Sequence, residues 1–273
     1  MNLSSNPQPQ QNKAVLVTGA AKRLGREIAL EFAHQGWDVA IHYGKSQAEA
    51  QETVLDIQKL GREAHAFQAD LSQEDQINTL FAAVTAKFPG LLCLVNSASI
   101  FEYDRANSSS PMTGKNLRDH MQVNLAAPIL LSQLMFQHQK SGAKKVSDVE
   151  RSIASVIQLL DQKLINPNPD FLSYTLSKAA LLSSVELLAV DFAPYLRVLG
   201  LAPGITLLSG DQTEEGFSKA HQMTPLGKSS TPSDIAKAAV FLASSNSITG
   251  TTLYVDGGQH LLPSTCDVMF KTS

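Results

Sequence analysis

A doubly wound, parallel α/β sheet is the fold this chain predicts, and three observations predict it. Short β-rich runs alternate with runs of helical period from about residue 13 onward. The connections between them are short, and the first is a glycine-bearing turn. The fourth strand-like run, LLCLVN, is apolar throughout, as a strand covered on both faces should be.

Each element has its own justification. KAVLVT (13–18) is a β-rich run ending at the glycine turn, and Leu24 to Gln35 then carries apolar residues at helical spacing until Gly36 stops it. VAIHY (39–43) is the second strand, Ala48 to Leu60 a polar-faced helix closed by Gly61, and HAFQAD (65–70) the third strand. Ser72 reads as the N-cap of a helix running to Phe88, before the fourth strand at 91–96. Four such alternations imply right-handed crossovers in a parallel sheet. Leu117 to Lys140 is helical, with Pro128 bending it, and IASVIQLL (153–160) is a strand. Ser173 to Phe192 is a long apolar helix stopped by Pro194, and LRVLGLA (196–202) is a strand ending at Pro203-Gly204. Thr231 to Ala243 is a helix with Pro232 in its first turn, and TTLYVDGG (251–258) is a last strand and turn.

The sum is a single domain over 13–273 with about seven strands and helices on both faces. Residues 1–12 read as a disordered lead-in without the apolar stretch of a signal peptide. Thr206 to Ser230 is long, polar and glycine-containing, which suits a substrate loop or lid. The tail from Leu261 to Ser273 is apolar enough to suggest packing on a neighbouring subunit.

The 273 residues are 43% hydrophobic and 17% charged, enough for one substantial core. A net charge of -3 gives no reason to expect nucleic acid as a partner, and no apolar run is long enough to span a bilayer. Cys93 and Cys266 form neither a disulfide framework nor a metal spacing, so no metal is expected, and the cytoplasm is the default location. Cys93, inside an apolar run, reads as a buried thiol.

TGAAKRLG (18–25) follows a strand and opens a helix, the context a dinucleotide turn requires. Gly19 allows the tight turn, Gly25 lets the helix pack closely, and the helix-start N–H groups face the pyrophosphate. A purely structural strand–turn–helix would look the same. Arg23 stands where many such turns have their middle glycine, and its guanidinium should cross the turn toward phosphate or substrate. The second strand ends His42, Tyr43, Gly44, Lys45, Ser46, with no carboxylate before Glu49. Nothing there would grip a free ribose diol, whereas Lys45 and Ser46, helped by Lys22, suit a 2′-phosphate; this favours NADPH, with a solvated loop lysine as the other reading. Asp70 and Leu71, after the third strand, are placed near the adenine, although Asp70 also suits a plain helix N-terminus.

Tyr174 and Lys178 share one helical face, with Asp161 thirteen positions before the tyrosine. An ammonium beside a phenol lowers its pKa and makes tyrosine a usable acid near neutral pH. The same lysine can bind the nicotinamide ribose, and Asn124 can hold a water behind it. A surface Tyr–Lys pair at this spacing is the plainer alternative.

The order of these pieces settles more than any one of them. The glycine turn, NSAS after strand four, Asn124, the Tyr174–Lys178 pair, then PGIT and DGG resemble the short-chain dehydrogenase/reductase family from about Lys13 to Gly258. The resemblance implies a Rossmann-type fold, NAD(P)(H) and a homotetramer. Under it, Asn96, Ser97 and Ala98 line the cofactor with Leu24 and Pro203, and Gly204 and Thr206 border the nicotinamide and phosphate. Ser97 departs from the family's usual second asparagine.

Asp161 stands where the family normally has serine. A hydroxyl suits a ketone oxygen; a carboxylate suits the N–H groups of a heterocycle. With Arg23, HYGKS and NSASIF, this looks like the pteridine reductase branch, whose members reduce dihydropterins, and often dihydrofolate, with NADPH. By that likeness Phe101 stacks on the pterin, Arg23 and Ser99 contact it and the cofactor phosphate, and Asp161 and Tyr174 handle the proton. Phe101 as an ordinary packed aromatic and Asp161 as a strand-end cap are the duller readings. A carbonyl reductase of 3-oxoacyl type, which the missing serine disfavours, and a non-catalytic NADPH-binding regulator are the rival functions.

Overall fold

The computed structural model describes residues 12–109, 111–142, 153–208 and 213–271. The expected lead-in, residue 12 apart, lies outside them, as do residues 209–212 of the expected loop and the last two residues of the tail. Seven strands make one sheet: β1 Ala14–Val17, β2 Asp38–Tyr43, β3 Ala64–Gln68, β4 Leu91–Asn96, β5 Ala154–Leu159, β6 Leu196–Pro203 and β7 Thr252–Val255. Their order is β3-β2-β1-β4-β5-β6-β7, and every neighbouring pair is parallel. The helices are α1 Arg23–His34, α2 Gln47–Lys59, α3 Glu74–Lys87, α4 Gly114–Met121, α5 Ala127–Gly142, α6 Leu172–Asp191, α7 Glu214–Gln222 and α8 Pro232–Ser244.

The period of two along the strands explains the two cores. Val15, Val17, Val39 and Ile41 face one way, onto Ile28 and Phe32 of α1, Ile57 of α2 and Ile235 of α8. Ala14, Leu16, Ala40 and Leu94 face the other way, onto Leu80 of α3 and Leu131 and Met135 of α5. Cys93 is fully buried among the first set, and burial holds its thiol at about 12. Strand order reverses between β1 and β4, so the loops after these two strands splay apart and leave a crevice at their carboxyl ends.

Three local expectations need correction. Ser72 does not cap α3: the Asp70 carboxylate takes its N–H at 2.9 Å, and Gln73 becomes the capping position. The helix read over 117–140 is broken by a π-helical turn, Gln122–Ala126, one residue too long for the regular ladder and placed just before Pro128. The expected loop at 206–230 contains α7, capped by Thr213, whose hydroxyl accepts from Gly216 N at 3.0 Å. Within its own chain the tail seats Phe270 on Tyr103 and Phe171 at ring separations of 5.5 and 6.3 Å. Among the described residues no helix is long and apolar enough to cross a membrane.

Candidate active site

Two adjoining cavities open at the strand ends. The larger, about 680 Å³, is lined by the β1–α1 turn, the end of β2, Asp70 and Leu71 after β3, and Ser97 to Ile100 after β4. The turn is close-fitting. Gly19 has φ +65, and a Cβ there would come within 2.9 Å of Ala98 Cα; a Cβ on Gly25 would come within 2.3 Å of Gly19 O. Arg23 sits at φ +54, so the position where such turns carry a glycine keeps the left-handed backbone that glycine would supply more easily. Lys22, Lys45 and Ser46 lie along this cavity, as expected, with no carboxylate at the end of β2.

His42 is a brace rather than an open ligand. Its Nδ1 accepts from Gly19 N at 3.1 Å and its Nε2 donates to Ala69 O at 3.1 Å, tying the phosphate turn to the end of β3. Burial lowers its pKa to about 4, so the ring is neutral and this tautomer satisfies both partners. Thr18 was not foreseen: its hydroxyl accepts from Ser97 N and Ala98 N, both at 3.0 Å, and so fixes the loop after β4. Asn96 is turned away into a buried network, donating to Gln158 Oε1 at 2.9 Å.

The smaller cavity, about 400 Å³, shares Arg23 and Leu24 with the first and is lined by Phe101, Asp161, Gly204, Thr206 and the tail. Arg23 does cross the turn, and its guanidinium donates to Leu208 O at 2.9 Å. Asp161 opens a short 3-10 turn after β5, Gln162–Leu164, where its Oδ1 accepts from Lys163 N at 2.9 Å. Its Oδ2 accepts from the Tyr174 phenol at 3.0 Å. Sequence thus brings Asp161 and Tyr174 together as expected. Phe101 is 43% exposed; Phe171 backs one face of its ring at 4.1 Å, and Tyr174 meets it edge-on at 4.7 Å.

One role comes out differently. Lys178 does not make the phenol acidic in this state. Its ammonium donates to Leu159 O at 2.6 Å and lies 5.9 Å from the Tyr174 ring centre. Burial, then the Asp161 charge and hydrogen bond, push the phenol well above its usual value, while burial lowers Lys178 to about 8. The Asn124 amide binds Ile100 N (2.9 Å), Ile100 O (3.0 Å), Ser99 Oγ (3.1 Å) and Ser177 Oγ (3.1 Å), which clamps the Phe101 loop onto α6 beside Lys178.

The start of α6 explains how Tyr174 is aimed. Phe171 stands at the N-cap with φ +55 and ψ +52, a strained backbone for a bulky residue. Asp104, only 1% exposed, compensates from the Phe101 loop: it accepts from Ser173 N at 2.9 Å and from the Ser173 hydroxyl, and its carbonyl takes Leu172 N. No local pattern reveals this cap, which comes from 69 residues upstream.

A family model described as enoyl-(acyl carrier protein) reductase matches residues 19–260. The chain belongs to the short-chain dehydrogenase/reductase family. This short-chain reductase is an NAD(P)-dependent oxidoreductase. The 3β-hydroxysteroid dehydrogenase 1 of Eggerthella lenta is 32% identical over 93% of this chain and 95% of its own. The 3-oxoacyl-[acyl-carrier-protein] reductase FabG of Staphylococcus epidermidis is 28% identical over 92% and 100%. Among solved structures, the FolM alternative dihydrofolate reductase 1 of Brucella canis, complexed with NADP, superposes with a TM-score of 0.83 at 33% identity, covering 94% of this chain and 97% of that one.

Proposed function

We propose that this short-chain reductase uses NADPH to reduce a dihydropterin to the tetrahydropterin, with dihydrofolate as a related substrate. The observation that carries the reading is the partly buried Asp161 carboxyl on the Tyr174 phenol at 3.0 Å, where a serine would serve a carbonyl. Burial raises the Asp161 pKa against the hydrogen bond and charge of Lys163, so this carboxyl gives up a proton less readily than a free one. Phe101 offers a half-open aromatic face beside this pair, suited to a flat heterocycle. The likeness to FolM of Brucella canis supports the same class.

The larger cavity fits a dinucleotide, since the glycines of its turn leave room that any side chain would fill. Gly19, Arg23, Leu24 and Gly25 would hold the pyrophosphate with Ser97 and Ala98, and Lys45 and Ser46 the 2′-phosphate. When bound, the nicotinamide supplies the hydride. The protein supplies the proton. Tyr174 keeps its proton because burial and Asp161 disfavour phenolate. In this reading it delivers that proton to the ring nitrogen and takes a new one from water, held in place by Asp161, which accepts from the phenol at 3.0 Å. Lys178, Pro203, Gly204 and Thr206 border the nicotinamide end in this reading, while Asn124 and His42 act by holding loops. Leu187 and Val190, 70% and 81% exposed on α6, offer apolar surface for contact between copies of the chain; the assembly in this reading is a homotetramer, which light scattering tests.

Carbonyl reduction is the second reading, favoured by the named activities of the Eggerthella and Staphylococcus relatives. Oxidation of NADPH and of NADH, followed in parallel with dihydrobiopterin, dihydrofolate and an acetoacetyl thioester, separates the two. Turnover of the thioester alone would overturn the pterin assignment. Tight NADPH binding without turnover on any of them would leave a cofactor-binding regulator.

A further inference from the structure

Lys163 is a buried cation that the proton transfer does not use. Its backbone N–H already holds Asp161, and its side chain is 4% exposed. The ammonium donates to Asp170 O at 2.9 Å, lies over the Phe171 ring at 5.5 Å, and pairs with Asp267 Oδ2 at 3.6 Å. Asp267 comes from the tail, and the fold seats it firmly. Its N–H donates to Asp170 Oδ2 at 2.8 Å across 97 residues, its Oδ1 accepts from Met269 N at 3.2 Å, and Phe270 locks onto Tyr103 and Phe171. Asp170 in turn is held by Arg105 at 3.2 Å.

We propose that Asp267 is a positioning residue for the Asp161–Tyr174 pair: by neutralising the Lys163 ammonium it prevents that cation from drawing Asp161 into its ionised form. A buried ammonium needs a counter-charge, and two carboxylates lie within its influence. With Asp267 in place, the charge is spent on the tail. Asp161 then faces Lys163 from its own turn, Tyr174 and Lys178 from α6, Arg23 across the cavity and Asp267 from the tail. Burial leads in raising Asp161, Lys163 opposes it, and Asp267 adds to the rise. The tail therefore sets the protonation of the acid pair without touching the reacting atoms.

The proposal rests on Asp161 and Tyr174 as the proton-handling pair, but its test needs no substrate. The cofactor-free protein, labelled with ¹³C at aspartate side chains, is titrated by NMR, and the Asp161 signal is assigned by its loss in Asp161→Asn. Asp267→Asn should move the Asp161 midpoint to lower pH by about one unit, since a neighbouring cation gains its full effect. Lys163→Gln should move it to higher pH, and Asp267→Glu should restore the parent value. The limb of the pH–rate profile that disappears in Asp161→Asn should follow in the same directions. A purely structural role would not displace the midpoint in opposite senses. Midpoints unchanged in the folded variants, or displaced in one common direction, would overturn the proposal. Should one variant fail to fold, the sign of the other decides alone. If pterins are not reduced and the midpoints still move as stated, the substrate assignment fails and this inference stands.

Discussion

Substituting Gly25 by alanine tests the phosphate turn at its tightest point. The added Cβ would lie 2.3 Å from Gly19 O, 2.9 Å from Gly19 C and 3.1 Å from Ala20 Cα, all backbone atoms. Ordinary contact begins at 3.4 Å, so the shortfall is 3.4 − 2.3 = 1.1 Å. A flexible side chain could swing away; this obstacle is the turn itself. Either α1 backs off or the turn flattens, and both carry the helix-start N–H groups away from a bound pyrophosphate. Overpacking of this kind costs about 1–3 kcal/mol. Each lost hydrogen bond to a charged phosphate removes about 1.5–3 kcal/mol of binding. The expectation is therefore a melting temperature several degrees lower and an NADPH dissociation constant raised at least ~10-fold. Gly114→Ala is the control: it also sits in a helix's first turn, but its nearest obstacle is the movable end of Arg118 at 3.3 Å. Calorimetric titration and thermal melts read both. Affinity within twofold of the parent in Gly25→Ala, with an unchanged melt, would refute the reasoning.

Other perturbations have equally definite outcomes. Under the proposed role of the phenol as proton donor, Tyr174→Phe should lower kcat/KM at least ~100-fold while NADPH affinity is retained; steady-state rates beside calorimetric binding show whether the two part company. His42 carries its folded value at about 4 against 6.5, so between these the unfolded chain binds the extra proton and stability falls as pH drops through that window. Urea melts of parent and His42→Phe from pH 7 to 4 should diverge by up to about 1.4 kcal/mol per pH unit, and parallel curves would count against the brace. Lys178 has the same sign higher up. Its folded value of about 8 against 10.5 makes the cofactor-free protein gain stability from about pH 8 upward relative to Lys178→Met. Above about pH 10 the raised Tyr174 opposes that gain, because the folded state then keeps a proton the unfolded chain has lost. Equal slopes in denaturant melts of the two proteins between pH 8 and 10 would show that the ammonium is not buried as described.

How far the sequence could be read depended on the range of each interaction. All seven strands were legible: the central ones, buried on both faces, leave continuous apolar runs, and the edge strands Ala64–Gln68 and Thr252–Val255 were marked by their place in the alternation. The Asp161–Tyr174 pair was legible as well, because Asp161 follows β5 and Tyr174 opens the helix after it, so both sit at the carboxyl end of the sheet. The helix at 214–222 was hidden by its polarity: only Phe217, Gly216 and Ala220 break a run of charged and polar residues, although Thr213 followed by two glutamates was a usable start signal. Ser72 misled because Asp70, two residues earlier, competes for its N–H. The direction of the Tyr174 shift was missed because spacing on a helix reports proximity, whereas the outcome turned on burial and on where the Lys178 ammonium finds a carbonyl. Asp104, Asp170 and Asp267 act across long stretches of chain, and no local pattern records such contacts.

The surplus residue at Gln122–Ala126 has a consequence for how this protein can change. A regular helix advances about 100° per residue, so a single insertion rotates everything beyond it by that angle. Here the offset is absorbed in one bulge. As a result α4 presents one side to α6, while α5 presents a separately phased side to α3. Excising one residue from the bulge would make the rod continuous and force a choice between those two seatings. Either Asn124 would swing off the Phe101 loop, or Leu131 and Met135 would leave the core under the sheet. The bulge thus acts as a swivel that lets the loop-holding half and the core-filling half drift independently in sequence.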